Sequence, residues 1–208
     1  MGVFCLFNSN ILLKFIYTIK KDMKKLIMVA IILIASMSVY SQEFLGIKVD
    51  GKKTDVVQQF KNKGFIVKSE PSKTVTTMVG TVAGKKTEVN VVSSPISQIV
   101  WKFAVYLPEQ TSWYSLKDEY NEFLITLTNK YGAPENVYAF FSSPYYEGDG
   151  YEMQAVYMEK CTYSAFWSDS IGIMLQISKY KQVKISYENS KNSQLDTQEK
   201  EKLKMESF

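Results

Sequence analysis

Residues 98–131, QIVWKFAVYLPEQTSWYSLKDEYNEFLITLTNKY, decide the fold. In the first ten the apolar period is two. Ile99, Trp101, Phe103, Val105 and Leu107 fall on one face, Lys102 falls on the other, and Pro108 ends the run. That is the pattern of an antiparallel strand with one face buried and the other partly solvated. Over 112–131 the period becomes helical. Trp113, Leu116, Tyr120, Phe123, Leu124, Leu127 and Tyr131 make one broad apolar face, and Lys117, Asp118, Asn121, Glu122 and Asn129 fill the other. Gly132 suits the residue just past the helix and Pro134 prevents its continuation. A half-buried strand followed by an amphipathic helix predicts an α+β protein in which helices seal one face of an antiparallel sheet.

Upstream, residues 44–47 read as a short lead-in strand, and Asp50-Gly51 turns the chain. A first helix is expected over 54–63, with Thr54 as N-cap, a narrow apolar face of Val56, Val57 and Phe60, and Gly64 beyond its end. Strands follow at 65–69, 75–82 and 87–92, the last two joined as a hairpin around Ala83-Gly84-Lys85-Lys86. Downstream, strands are expected at 137–141, 161–167, 171–178 and 182–187. Residues 152–159 fit a short helix or a strand equally. Residues 189–208, rich in Asn, Ser, Gln, Glu and Lys, read as a polar tail, frayed or disordered, or a loose charged helix.

The two halves repeat one order: a helix ending at Asn62-Lys63-Gly64 or at Asn129-Lys130-Tyr131-Gly132, then a run of strands. The expected units are 42–110 and 111–188, sharing one extended or curved sheet with the helices packed against one face. The opening Phe44-Leu45-Gly46-Ile47-Lys48-Val49-Asp50-Gly51, with Lys63-Gly64-Phe65 and Lys130-Tyr131-Gly132-Ala133-Pro134, resembles secreted proteins of unknown function from Gram-negative gut bacteria. The tandem helix-plus-four-strand plan resembles the architecture of the β-lactamase inhibitor protein family, and implies two helix-plus-antiparallel-sheet units with the helices on one face. The motifs concerned are structural, and no inhibitor contact residue transfers with them.

Composition excludes several kinds of chemistry. All 25 basic residues are Lys, and His is absent. Without His there is no Ser-His or Cys-His nucleophile and no imidazole metal ligand. Five lysines and one acid precede Gln42, so the remainder, with 20 of each sign, is neutral despite the formal net charge of +4. A neutral, Arg-free domain lacks the basic footprint of nucleic-acid binding. There is no P-loop, dinucleotide fingerprint or nucleophile elbow.

Residues 23–41 have the layout of a secretory signal peptide. Met23-Lys24-Lys25 precedes an apolar run over 26–35, and Val39-Tyr40-Ser41 fits the small-x-small cleavage rule. The expectation is export to the periplasm or beyond, with a new terminus at Gln42 and no stable membrane anchor after cleavage. Residues 1–22 are read as lying upstream of the true start at Met23. Only Cys161 then remains, without a disulfide partner.

Four candidate sites follow. The loop Pro144-Tyr145-Tyr146-Glu147-Gly148-Asp149-Gly150-Tyr151 offers Tyr145, Tyr146, Glu147, Asp149 and Tyr151 as ligand-binding residues, because tyrosines on Gly-rich loops give large contact area at low ordering cost. The opposite reading is a solvated loop folded back on the sheet edge. Glu147 and Asp149 lack the spaced oxygen ligands of a calcium loop. Cys161, with no base nearby in sequence, reads as a small buried hydrophobe. Asp118, Glu119 and Glu122 read as a solvated helix face rather than a hydrolase pair. Trp101, Trp113 and Trp167 read as core or, on a sheet face left open, as a platform for a peptide or sugar ring. No cofactor and no metal site is expected. The functional expectation is an exported, non-catalytic binding module for a protein, peptide or glycan. The alternatives are a carbohydrate-active hydrolase working through carboxylates, and a structural envelope protein.

Overall fold

The computed structural model describes residues 43–168 and 171–207. The expected leader, with the signal-peptide reading of 23–41 and its cleavage point, lies outside them. The chain opens with a small hairpin, β1 (Glu43–Phe44) and β2 (Ile47–Lys48), where a single lead-in strand was expected; Leu45 (φ +55) and Gly46 (φ +75) make the reversal. Helix α1 (Lys53–Asn62) leads into β3 (Ile66–Ser72), β4 (Val75–Val82), β5 (Lys85–Ser93) and β6 (Val100–Tyr106). Helix α2 (Trp113–Tyr131) leads into β7 (Asn136–Phe141). A short helix α3 (Glu152–Tyr157) intervenes before β8 (Cys161–Trp167), β9 (Ile171–Ser178) and β10 (Gln182–Asn189). Helix α4 (Ser190–Glu206) ends the chain.

All eight strands β3 to β10 form one antiparallel sheet in the order β3-β4-β5-β6-β10-β9-β8-β7. Each run of strands is a meander, and the last strand of each pairs with the other at the centre: Ile185 lies opposite Val105 and Tyr187 opposite Phe103. One face of this sheet carries the core. Val89, Val91, Phe103, Val105, Tyr163, Ala165, Leu175, Ile185 and Tyr187 are all buried there. Phe60 of α1 meets Phe103 edge-on at 5.2 Å, and Tyr120 of α2 meets Tyr163 at 5.6 Å. Phe44 of the hairpin rests 5.5 Å from Tyr187. Leu116, Tyr120, Phe123 and Leu127 are the buried residues of the predicted α2 stripe. Ser112 caps α2, its Oγ accepting from Ser115 N–H at 3.2 Å, and Gly132 (φ +86) closes it.

Several expectations need correction. Thr54 is not the N-cap of α1; Lys52 precedes the helix, and the Thr54 hydroxyl bonds to Asp55 instead. β6 is not a clean alternation. The β5–β6 register slips between Val92 and Ser93, which inserts Trp101 as an extra residue, and Val100 rather than Trp101 faces the core with Phe103 and Val105. Glu119 is not on a solvated face. It is buried, accepting from Lys85 Nζ at 3.1 Å and Gln110 Nε2 at 3.1 Å. Burial works against the Lys85 charge, but Glu122 and Glu119 outweigh it and hold the ammonium above its usual pKa.

The largest correction concerns the tail. Residues 190–206 are neither frayed nor disordered but form α4, docked against β6 and β10. Asn189 caps it through Asn192 N–H. Its buried residues are polar: Asn192, Asp196 and Glu199. Asn192 Nδ2 donates to Val100 O and Asp50 Oδ1, both at 2.9 Å. Glu199 accepts from Ile96 N–H at 2.7 Å and Ser97 N–H at 3.0 Å. A search for apolar periodicity passes over such a helix, because its buried residues are polar.

Candidate functional site

The sequence-predicted loop folds toward α2. Glu147 accepts from Trp113 Nε1 at 3.2 Å and Tyr163 Oη at 3.1 Å, and pairs with Lys117. Lys117 holds the Glu147 carboxyl below the usual carboxylate range; burial opposes this, and Trp113 and Tyr163 reinforce it. Asp149 accepts from the N–H groups of Tyr146 (3.0 Å) and Tyr151 (2.7 Å). Both acids therefore shape and anchor the loop. Among the described residues, no three or more acid or cysteine side chains converge as metal ligands. Tyr145 is half-buried, whereas Tyr146 and Tyr151 are 66% and 61% exposed. The five predicted residues do not line one cavity. A hollow beside α2 takes in Glu147 with Trp113, Tyr114, Lys117, Asp118 and Asn121.

Cys161 is half-buried, and its thiol is pushed up to about 12 by burial and then by the Glu147 charge. At neutral pH it is a thiol rather than a thiolate nucleophile.

The feature that the sequence announced only in part is the other face of the sheet. Its residues alternate with the core set: Glu88, Asn90, Lys102, Tyr106, Lys184, Gln176, Met174 and Phe166 are half-exposed, and the small Ala104, Ser164 and Ser186 between them are buried. The aromatic contacts of α1, α2 and the β1–β2 hairpin all go to the opposite face. Lys68 of β3 pairs with Glu88 of β5 across β4, and Lys102 with Glu188 across the neighbouring strands β6 and β10. Tyr138 and Phe166 meet at 6.1 Å, extending the surface to β7.

Two hollows open on this face and share Tyr106 as the ridge between them. One, of about 380 Å³, is lined by Lys184, Gln176, Ser164, Phe166 and Met174, with Tyr180 from the β9–β10 turn. The other, of about 430 Å³, is lined by Lys68, Val79, Lys86, Glu88 and Pro108. Burial, followed by the neighbouring Lys102, lowers the Lys184 pKa. Burial, followed by Glu88 and Tyr180, raises that of Tyr106. The carboxylate lining the first hollow is Glu159, which pairs with Lys179 at 3.5 Å. The alternation in 98–107 signalled a partly solvated face, but strand order was needed to show that eight strands contribute to it.

The chain matches no protein-family model, no curated protein and no solved structure. Among the described residues, no helix is long and apolar enough to cross a membrane.

Proposed function

We propose that this is an exported, non-catalytic recognition module that takes a protein or peptide segment on the open face of its sheet. The observation that carries this reading is the pair of hollows sharing Tyr106, on a face that α1 and α2 leave uncovered. Half-exposed aromatic side chains there supply contact area at low ordering cost, Met174 adds an adaptable thioether, and ion pairs frame them. Export is supported by the signal-peptide layout over 23–41. A tandem duplication of the kind found in the β-lactamase inhibitor family is supported by the matching order of the two meanders. Tyr146 and Tyr151, anchored through Asp149, form a second patch on the loop, favoured by their exposure.

The test is site-specific photo-crosslinking in the producing cell. A crosslinker at Gln176, on the open face, is expected to capture a discrete polypeptide. The same group at Asn121, on the outer side of α2, is expected not to. Tyr106→Ala should abolish the capture and Tyr146→Ala should leave it. Capture from Asn121 alone, or loss only on changing Tyr146 or Tyr151, overturns the open-face reading. Recovery of carbohydrate in place of polypeptide replaces the partner class. N-terminal sequencing of the mature protein should give Gln42; a terminus elsewhere removes the cleavage assignment.

A further inference from the structure

The sheet has two outer edges, and they are built differently. β3 carries Lys68, Glu70 and Pro71, and its register against β4 shifts twice, between Val67 and Ser69 and between Ser69 and Ser72. Charge, proline and irregularity are the devices that keep an edge from accepting another strand. β7, Asn-Val-Tyr-Ala-Phe-Phe, has none of them. It carries no charge or proline, and it pairs with β8 without interruption from Asn136↔Phe166 to Phe141↔Cys161. Val137, Tyr138 and Phe140 are nonetheless 51%, 46% and 49% exposed.

The outer hydrogen-bonding groups of β7 are identifiable. Ser142 N–H donates to Lys160 O at 2.7 Å in continuation of the β7–β8 register. Inward and outward amides alternate along an antiparallel strand. Phe140 and Tyr138 therefore direct theirs to β8, and Val137, Ala139 and Phe141 direct theirs outward.

We infer that β7 is a dimerisation edge, and that its occupant is the β7 strand of a second copy of this chain, antiparallel about a two-fold axis through Ala139. That axis brings the outward groups into register: Ala139 meets Ala139 of the second copy, and Val137 meets Phe141. Tyr138 then lies beside Phe140 of the second copy on the open face, an aromatic cross-strand pair of the kind that stabilises sheets. The nearest charged residue, Glu135, falls opposite Ser143 of the second copy, so no like charges oppose one another along the seam. An isologous contact of this type closes on itself and leaves no further β7 edge free. The two sheets become one, with both open faces on the same side.

The full chain is expected to have twice the monomer mass by light scattering at micromolar concentration. Ala139→Pro removes an outward N–H while sparing the ladder to β8, and should give a monomer with an unchanged circular-dichroism spectrum. Ala139→Lys and Ala139→Glu should each weaken the dimer alone, and an equimolar mixture of the two should restore it, because the axis places these positions face to face. Val67→Lys on β3 should leave the dimer intact. A monomeric wild-type chain overturns the inference. So does a dimer that survives in folded Ala139→Pro, that dissolves in Val67→Lys, or that shows no Lys–Glu rescue. Failure here leaves the crosslinking result from Gln176 untouched, since that site lies on the face and not the edge.

Discussion

Helices α2 and α4 both lie against the central strands, and they are held by opposite chemistries. α2 buries Leu116, Tyr120, Phe123 and Leu127 in the core, with Glu119 the one buried charge, held by Lys85 and Gln110. α4 buries Asn192, Asp196 and Glu199, and its leucine near the end, Leu203, is 43% exposed. The first attachment is non-directional and scales with apolar area. The second depends on each polar group finding its own partner, since a buried donor or acceptor left alone is costly. The two helices should therefore respond differently to substitution and to pH.

The largest effect is expected in α2. Leu116→Ala, at a fully buried position, should cost about 3 kcal/mol in urea unfolding, the range for a core leucine replaced by alanine. A loss near zero would mean that α2 is not the lid of the core. Next comes Asn192→Ala, which leaves the Val100 carbonyl without its side-chain donor and takes one of two donors from Asp50 Oδ1, and should cost about 2 kcal/mol in the same measurement.

Glu199→Gln should be somewhat milder, about 1–2 kcal/mol at neutral pH, because the amide oxygen can still accept one of the two backbone N–H groups. Its sharper signature is in pH. Burial pushes the Glu199 carboxyl up, but the hydroxyls of Ser97 and Ser94 and the N–H groups of Ser97 and Ile96 outweigh it and pull the value from 4.5 to about 2. The folded value lies below the unfolded one. The contribution is therefore complete above about pH 4.5 and drains away as the pH falls toward 2. Thermal melts across that window should be steeper in pH for wild type than for Glu199→Gln, and parallel curves would show that Glu199 does not hold α4. The smallest effect is Leu203→Ala, expected within about 0.5 kcal/mol of wild type by urea unfolding because so much of the side chain is already in water. A larger loss would show that α4 docks through apolar contacts after all.

The same contrast explains what could be read in advance. β8 and β9 have the predicted bounds, and the α2 stripe is the predicted one, because those segments alternate or repeat cleanly and the pattern is local. α4 was read as a tail because its docking residues are polar and spaced for hydrogen bonds. Trp101 was assigned to the core because an inserted residue in β6 leaves no mark in composition. At the candidate site, Tyr146 and Tyr151 were legible as exposed aromatics on a Gly-rich loop. The roles of Glu147 and Asp149 were not, because their partners are mostly distant side chains or loop backbone. The open face was half legible: alternation announced a solvated side, but not its extent.

The sequence alone determined the strands and helices whose apolar period is clean, among them α2, β8 and β9, and the side of each that is apolar, since side-chain order along the chain sets the period. A sheet shared by the two meanders was expected, but only the tertiary structure decided that β6 and β10 are the strands that join them. It also decided that the edges differ in their freedom to pair, and that a charged terminal helix belongs to the fold. These depend on where distant segments meet, which local periodicity does not encode.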